Sequence, residues 1–174
     1  MKKIVLLSLC SIILAGCSAP QPKLVHKVDP YTQKTGVAFG PLVAKPCPGA
    51  SYDVMAAEIT MLRDGDLQVL NIDIEAQEWA FLNPRLPLNM LVDGNPVELT
   101  AIERATRNTK RYQTYSAVTE SLFYPVSQSF VSSLADAQNV RFRVLGSKRS
   151  LERCLDATAL KQLEQVVPLL NPAR

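Results

Sequence analysis

Two carboxylates near the middle of the chain have a spacing from which acid–base chemistry can be built. Asp73 and Glu75 lie two residues apart in a stretch that alternates polar and apolar residues, so a strand would place both on one face. Glycosidases use two carboxylates across a cleft, and calcium ions take several oxygen ligands. A solvated face of a sheet needs neither role, and it is the interpretation that we favour.

Nucleophilic catalysis lacks most of its usual groups in this sequence. His26 is the only histidine, and no serine lies in a Gly-x-Ser-x-Gly motif. Ser147-Lys148 is a neighbour pair in an expected turn, and a Ser–Lys pair from distant parts of the chain stays open. The seven glycines form no phosphate-binding loop, and no His and Cys have the spacing of a metal site. We predict no catalytic residue, no cofactor and no metal.

Basic residues form two clusters. The first lies in a polar loop predicted for residues 103–113 and consists of Arg104, Arg107, Lys110 and Arg111. The second consists of Arg141, Arg143, Lys148, Arg149 and Arg153. Clustered positive charge can attract an anionic partner, such as lipid head groups, cell-wall carboxylates or an acidic protein surface. The first cluster is therefore our hypothesis for a partner-binding site, and a loop that only keeps the protein soluble is the alternative.

The total charge excludes a nucleic-acid-binding protein as the leading class. The 174 residues include 19 Lys and Arg against 16 Asp and Glu, for a formal net charge of +3. Lys2 and Lys3 lie in the N-terminal segment discussed next, and without them the chain is nearly neutral. Nucleic-acid-binding domains depend on a much stronger positive charge. The 47% of hydrophobic residues also excludes a disordered chain and suits one folded domain.

The first 17 residues have the pattern of an export signal. Met1-Lys2-Lys3 precedes a mostly apolar run from Ile4 to Ala15, which is shorter than the roughly 20 residues that span a bilayer. The run ends in Leu14-Ala15-Gly16-Cys17, a tetrapeptide that resembles the lipobox of bacterial lipoproteins. The resemblance implies that residues 1–16 are a removed signal peptide.

The same resemblance implies a lipid anchor at Cys17. In bacterial lipoproteins this thiol carries a diacylglyceryl group, and the new amino group is often acylated as well, for example with palmitate. Two or three acyl chains hold a protein durably on a membrane. Ser18 stands where lipoproteins retained in the inner membrane have Asp, which implies the periplasmic face of the outer membrane. Residues 17–35, which include three prolines, are predicted to be a flexible tether of at most about 60 Å.

Two cysteines are left for the folded domain. Cys10 lies in the signal peptide and Cys17 is the lipidation site, so Cys47 and Cys154 remain. In an exported protein, two remaining thiols are expected to form a disulfide, because the compartment is oxidising. We therefore predict a Cys47–Cys154 bond.

The elements that position these residues are mostly strands. Residues 51–63 and 67–79 are predicted to form a hairpin across Asp64-Gly65, and residues 88–92 and 97–103 to form a second one across Asp93-Gly94-Asn95-Pro96. Residues 113–124 and 139–145 add two more strands. Trp79 and Phe81, beside a proline-rich turn, are interpreted as plugs at the end of the core, and lining a ligand groove is the alternative.

Two helices come late in the chain. The first is predicted to begin after Ser127, as its N-cap, and to extend to Asp136. The second is predicted to have Asp156 as its N-cap and to be ended or kinked by Pro168. Strands followed by helices indicate an α+β fold, a mostly antiparallel β-sandwich-like sheet with two late helices, in one domain over residues 36–174.

The functional prediction is a lipid-anchored periplasmic binding or accessory module. We expect it to be non-enzymatic and to engage an envelope protein or another anionic envelope component, without nucleic acid. The alternatives are an envelope hydrolase acting on lipid or cell wall, and a carrier of a small apolar ligand inside the sandwich.

Overall fold

The computed structural model describes residues 21–28, 35–50, 56–65, 67–102 and 105–170. Most of these residues lie in two antiparallel sheets, and two helices follow late in the chain, as the sequence predicts. The predicted signal peptide, Cys17 and Arg104 lie outside the described residues. Within the described part, no helix is long and apolar enough to cross a membrane.

The larger sheet has six strands. In spatial order they are β1 (Lys23–Val28), β2 (Thr35–Val43), β4 (Ala56–Asp64), β5 (Leu67–Ala76), β9 (Ser116–Val126) and β8 (Thr106–Arg111). All neighbours are antiparallel. Period-two alternation gives this sheet one buried face, which includes Ile59, Ile72 and Leu122 at one level of the register.

The smaller sheet has five strands. In spatial order they are β3 (Lys45–Pro46), β11 (Ser150–Leu155), β10 (Val140–Leu145), β6 (Leu88–Val92) and β7 (Asn95–Leu99). Val140, Phe142 and Val144 point into the core from β10, as predicted. The β6–β7 turn has Asp93 at φ 50° and Gly94 at φ 82°, the two left-handed residues that a type I′ turn requires.

The two helices pack against each other and close the core. Helix α1 (Gln128–Asp136) begins after Ser127, whose hydroxyl accepts a hydrogen bond from the backbone N–H of Phe130. Helix α2 (Ala157–Leu170) begins after Asp156, whose carboxylate accepts one from Ala159. Both predicted caps are confirmed. The helix runs two residues beyond Pro168, so the proline does not end it where expected.

Three expectations about local structure are wrong. Lys23–Val28, predicted to lie in the tether, form a strand that pairs with β2, because Leu24 packs against the core and the backbone completes a ladder along that edge. Thr106–Arg111, predicted to be a polar loop, form the opposite edge strand. Asp64, predicted to be a central residue of the β4–β5 turn, instead ends β4 and pairs with Leu67.

Candidate functional site

The first basic cluster is divided between the two faces of the larger sheet. On β8, side chains alternate, so Arg107 and Lys110 point to opposite faces. Arg107 bonds Glu120, and Lys110 Nζ lies 3.0 Å from Glu75 Oε2. Arg111 is exposed, and Arg104 lies outside the described residues. The predicted site is therefore not one continuous basic surface, because the strand that replaces the loop separates its members.

The second basic cluster is largely paired with acidic side chains. Arg141 and Arg143 both bond Glu152, which lies on the neighbouring strand. Arg149 bonds Glu78, and Arg153 is buried with its guanidinium donating to the Glu152 carbonyl oxygen. Lys148 makes no ion pair with any residue of the described ranges.

A buried carboxylate organises the loop that follows β5. Glu120 lies on the core-facing side of β9 and is 2% exposed. Its two carboxylate oxygens accept hydrogen bonds from the backbone N–H groups of Ala80, Phe81 and Leu82, at 2.7, 3.0 and 2.9 Å. Arg107 Nε donates to the same carboxylate at 3.2 Å, and Arg107 Nη2 donates to the Leu82 carbonyl oxygen. Three hydrogen bonds from consecutive backbone N–H groups to Glu120, and one from Arg107 to the Leu82 carbonyl oxygen, thus hold this loop in place.

The turn between β10 and β11 forms further hydrogen bonds with the same loop. The backbone N–H of Ser147 donates to the Phe81 carbonyl oxygen at 3.0 Å, and that of Lys148 to the Ala80 carbonyl oxygen at 3.2 Å. Gly146 forms a bridge with Leu82. A Cβ at Gly146 would collide with the Ala80 carbonyl oxygen, so only glycine allows this approach.

These hydrogen bonds hold Phe81 at the surface of the protein. Its φ of 54° lies in the left-handed region, and its side chain is 37% exposed. Lys148 Nζ lies 4.9 Å and Arg107 Cζ 5.8 Å from the ring centroid, within cation–π range, and the Trp79 ring is 6.4 Å away. We call Trp79, Phe81, Arg107 and Lys148 the Phe81 surface. The interpretation of Phe81 as a plug is not supported by its exposure, because the loop turns its ring outward.

The Phe81 surface joins one residue from each basic cluster, a relationship that the sequence did not predict. A signal for Glu120 was present, since it occupies an inward position between Val118 and Leu122 in the alternation of β9. A carboxylate at an inward strand position indicates a buried partner. Nothing in the sequence indicated the left-handed conformation of Phe81.

A groove on the solvent face of the larger sheet brings together the carboxylates that the sequence singled out. It has a volume of about 270 Å³ and is lined by Ala56, Glu58, Asp73, Glu75, Lys110 and Thr119. Glu58 and Asp73 are directly opposite each other on β4 and β5. The Tyr112 hydroxyl donates to Glu75 at 2.9 Å, and the Asn71 amide donates to Asp73 at 2.7 Å.

The electrostatics of the groove differ among its groups. Burial away from water, and then the negative charge of Asp73, raise the pKa of Glu58 above its usual value. The hydrogen bond to Glu75 raises the pKa of Lys110 and keeps it charged. Glu58 therefore holds its proton more tightly than a free carboxyl does. Among the described residues, no three His, Cys, Asp or Glu side chains are grouped so as to hold a metal ion.

The predicted disulfide is confirmed. Cys47 and Cys154 are bonded, with their Cα atoms 5.1 Å apart and a sequence separation of 107. Cys47 follows β3 and is buried, and Cys154 lies on β11, the strand that pairs with β3. The bond therefore joins the residue that follows edge strand β3 to β11, the neighbouring strand of the same sheet.

Comparison with known proteins gives no match: no family model fits the chain, and no curated protein and no solved structure is found to be similar to it.

Proposed function

We propose that this protein is a lipid-anchored, non-enzymatic binding module on the periplasmic face of the bacterial outer membrane, and that it engages another envelope protein through the Phe81 surface. The observation that carries the proposal is the conformation of Phe81. An exposed, left-handed, non-glycine residue is held in place by hydrogen bonds from two directions.

The strain at Phe81 supports a role in binding. A non-glycine residue in the left-handed region costs of order 1–3 kcal/mol, and such residues concentrate at functional sites. Folding does not need an exposed phenylalanine there, since glycine or asparagine would adopt the same backbone without that strain. A rigid aromatic ring loses little conformational freedom on binding, which is why such residues dominate interface energies.

The charges around Phe81 favour a partner with a matching acidic rim. Lys148 is exposed and makes no ion pair among the described residues, and Arg107 is 43% exposed at the side chain. A carboxylate on a partner could approach both cations while the Phe81 ring entered an apolar pocket. Complementary charge of this kind raises the association rate and selects the partner.

The anchor and the compartment are supported by separate observations. The tetrapeptide Leu14–Cys17 has the lipobox pattern, and the Cys47–Cys154 bond belongs to oxidising compartments such as the periplasm. Cys17→Ser tests the anchor directly. The variant should appear without acyl mass and leave the membrane fraction, whereas a Cys17→Ser chain that stays in the membrane fraction would contradict the anchor.

The binding role is tested by photo-crosslinking in cells. A photoreactive phenylalanine analogue at position 81 should capture one reproducible envelope protein. The same analogue at Leu91, which is 39% exposed on β6, is the matched control and should not capture that protein. Capture from both positions, or from neither, would contradict a partner site at Phe81.

A second candidate, an envelope hydrolase acting on cell-wall saccharides, is favoured by one observation. Glu58, with its raised pKa, lies opposite Asp73 in the groove, and glycoside hydrolysis uses a pair of carboxyl groups of which one has a raised pKa. Purified protein that releases fragments from cell wall, and loses this activity in both Glu58→Gln and Asp73→Asn, would favour the hydrolase over the binding module.

A further inference from the structure

The distance between the lipid anchor and the folded domain is much shorter than the sequence suggested. Leu24 is already part of β1, and it follows Cys17 by only seven residues. A fully extended chain advances at most about 3.6 Å per residue, so Cys17 lies no more than about 25 Å from Leu24. The surface of the bilayer that holds the lipidated Cys17 must therefore lie within about 25 Å of Leu24.

The direction in which the anchor lies follows from the topology of the larger sheet. Strands β1, β4 and β9 have the same sense in the sheet, because each is separated from the next by one antiparallel strand. The residues before β1 therefore lead toward the end of the sheet at which β9 begins. That end carries the β8–β9 hairpin, whose turn joins Arg111 to Ser116.

The register allows the two lengths to be compared. One row of paired residues crosses the sheet through Leu24, Phe39, Met61, Leu70 and Tyr124. From Tyr124, β9 extends eight residues back to Ser116. At a rise of about 3.4 Å per residue, the start of β9 lies about 27 Å from this row. Measured along the strands, the hairpin turn thus lies about as far from this row as Cys17 can.

The residues of the turn have the chemistry of a membrane interface. Tyr112 and Tyr115 are 42% and 40% exposed, and their rings stack with centroids 4.6 Å apart. The backbone N–H of Tyr112 donates to the Tyr115 carbonyl oxygen at 2.8 Å, which closes the turn. The Tyr112 hydroxyl is held by Glu75, and both rings stay partly exposed. Tyrosine suits the boundary between headgroups and acyl chains, because its ring is apolar and its hydroxyl is polar. Arg111 is exposed beside the pair and would favour anionic headgroups.

The geometry points to a second, non-covalent contact with the membrane: the β8–β9 turn, through Tyr112, Tyr115 and Arg111, docks on the headgroup layer of the bilayer that holds the anchor. This inference rests on the lipid anchor of the proposed function. Docking orients the domain so that the β4–β5 turn, at the opposite end of the larger sheet, points away from the membrane.

Fluorescence quenching by lipids tests this orientation. The full lipidated chain, with Trp79→Phe to remove the native tryptophan, is placed in nanodiscs whose lipids are brominated near the headgroup. Tyr115→Trp should lose fluorescence relative to unbrominated nanodiscs. Leu67→Trp, at the far end of the sheet and 49% exposed, is the matched control and should show no loss. Thr114→Trp is a second reporter in the same turn, with the same expected loss.

The outcomes separate the docking from the anchor. Intact mass establishes whether Cys17 carries acyl chains. An acylated chain whose fluorescence at 114 and 115 is unchanged by bromine, or is quenched no more than at 67, overturns the docking and leaves the anchor in place. An exported chain without acyl chains overturns both. Loss at 114 and 115 alone supports the docking.

Discussion

Arg107 and Glu120 lie directly opposite each other on β8 and β9, with Arg107 Nε 3.2 Å from Glu120 Oε1. The pair is asymmetric, since the Glu120 side chain is 2% exposed and that of Arg107 is 43% exposed. The carboxylate is the buried member, and it also accepts three backbone N–H groups. Glu120 therefore binds the edge strand β8, through Arg107, and the loop that contains Phe81, through its backbone N–H groups.

The substitution Glu120→Gln should destabilise the protein. It keeps the size of the side chain but removes its charge, and hydrogen bonds to charged groups contribute roughly 1.5–3 kcal/mol each. We expect the free energy of unfolding, measured with urea at pH 7, to fall by about 2–3 kcal/mol. Glu98→Gln, at an exposed position of β7, is the control and should change it by less than about 0.5 kcal/mol. Equal effects would contradict the anchoring role of Glu120.

Replacing Phe81 should separate stability from binding. Phe81→Gly removes the strain of the left-handed backbone, of order 1–3 kcal/mol, but it also loses ring contacts and adds freedom to the unfolded chain. We expect the free energy of unfolding to change by less than about 1 kcal/mol. Recovery of the crosslinked envelope protein should be lost, with the crosslinker placed at exposed Arg85 in both proteins. A variant that keeps full recovery would show that the ring is not the contact.

Glu58 should make stability decrease as the pH rises. Its pKa is raised above the usual 4.5, mainly by burial and then by Asp73. The folded protein thus binds this proton more tightly than the unfolded chain does. The contribution of Glu58 to stability is therefore fully present below pH 4.5 and is lost as the pH rises through its pKa in the folded state.

The substitution Glu58→Gln tests this dependence. The variant should be more stable than the native protein at pH 7, and the difference should vanish below pH 4.5. Thermal unfolding between pH 3.5 and pH 8 (about two samples per unit) measures it, and Glu164→Gln, at an exposed position of α2, is the control. A variant that is less stable at pH 7 would mean that attraction to Lys110 outweighs burial.

The disulfide should contribute much of the net stability. Closing a loop of 107 residues restricts the unfolded chain, and loss of such a bond typically costs about 2–5 kcal/mol. We expect a Cys47→Ala, Cys154→Ala double variant to unfold at correspondingly lower urea. Alkylation of the native exported protein before and after reduction should reveal two thiols together, whereas free thiols before reduction would contradict the bond in the cell.

Patterns that depend on neighbours in sequence predicted much of the fold. The β4–β5 and β6–β7 hairpins were found because Gly65 and Gly94 follow aspartates between alternating apolar residues. The helix caps at Ser127 and Asp156 were found because each precedes an apolar helical face. In these cases the same few residues determine both the local conformation and its pattern.

The elements that were missed do not have a regular alternation of apolar and polar residues. The six residues of β8 are all exposed, and the strand exists because its backbone pairs with β9. In β11, buried Arg153 interrupts the alternation of Leu151 and Leu155. The Phe81 surface combines residues from three separate segments, so no local pattern could reveal it.

The Cys47–Cys154 bond also has a consequence for the order of events as the chain is delivered to its compartment. A chain that emerges from its N-terminus presents Cys47 long before Cys154, so Cys47 waits as a free thiol while 107 further residues arrive. The other cysteines are Cys10 and Cys17. If Cys10 leaves with the signal peptide and Cys17 is alkylated with lipid, as proposed, both potential wrong partners are removed from the chain. Lipidation would then protect the pairing of the correct thiols as well as attach the protein to its membrane.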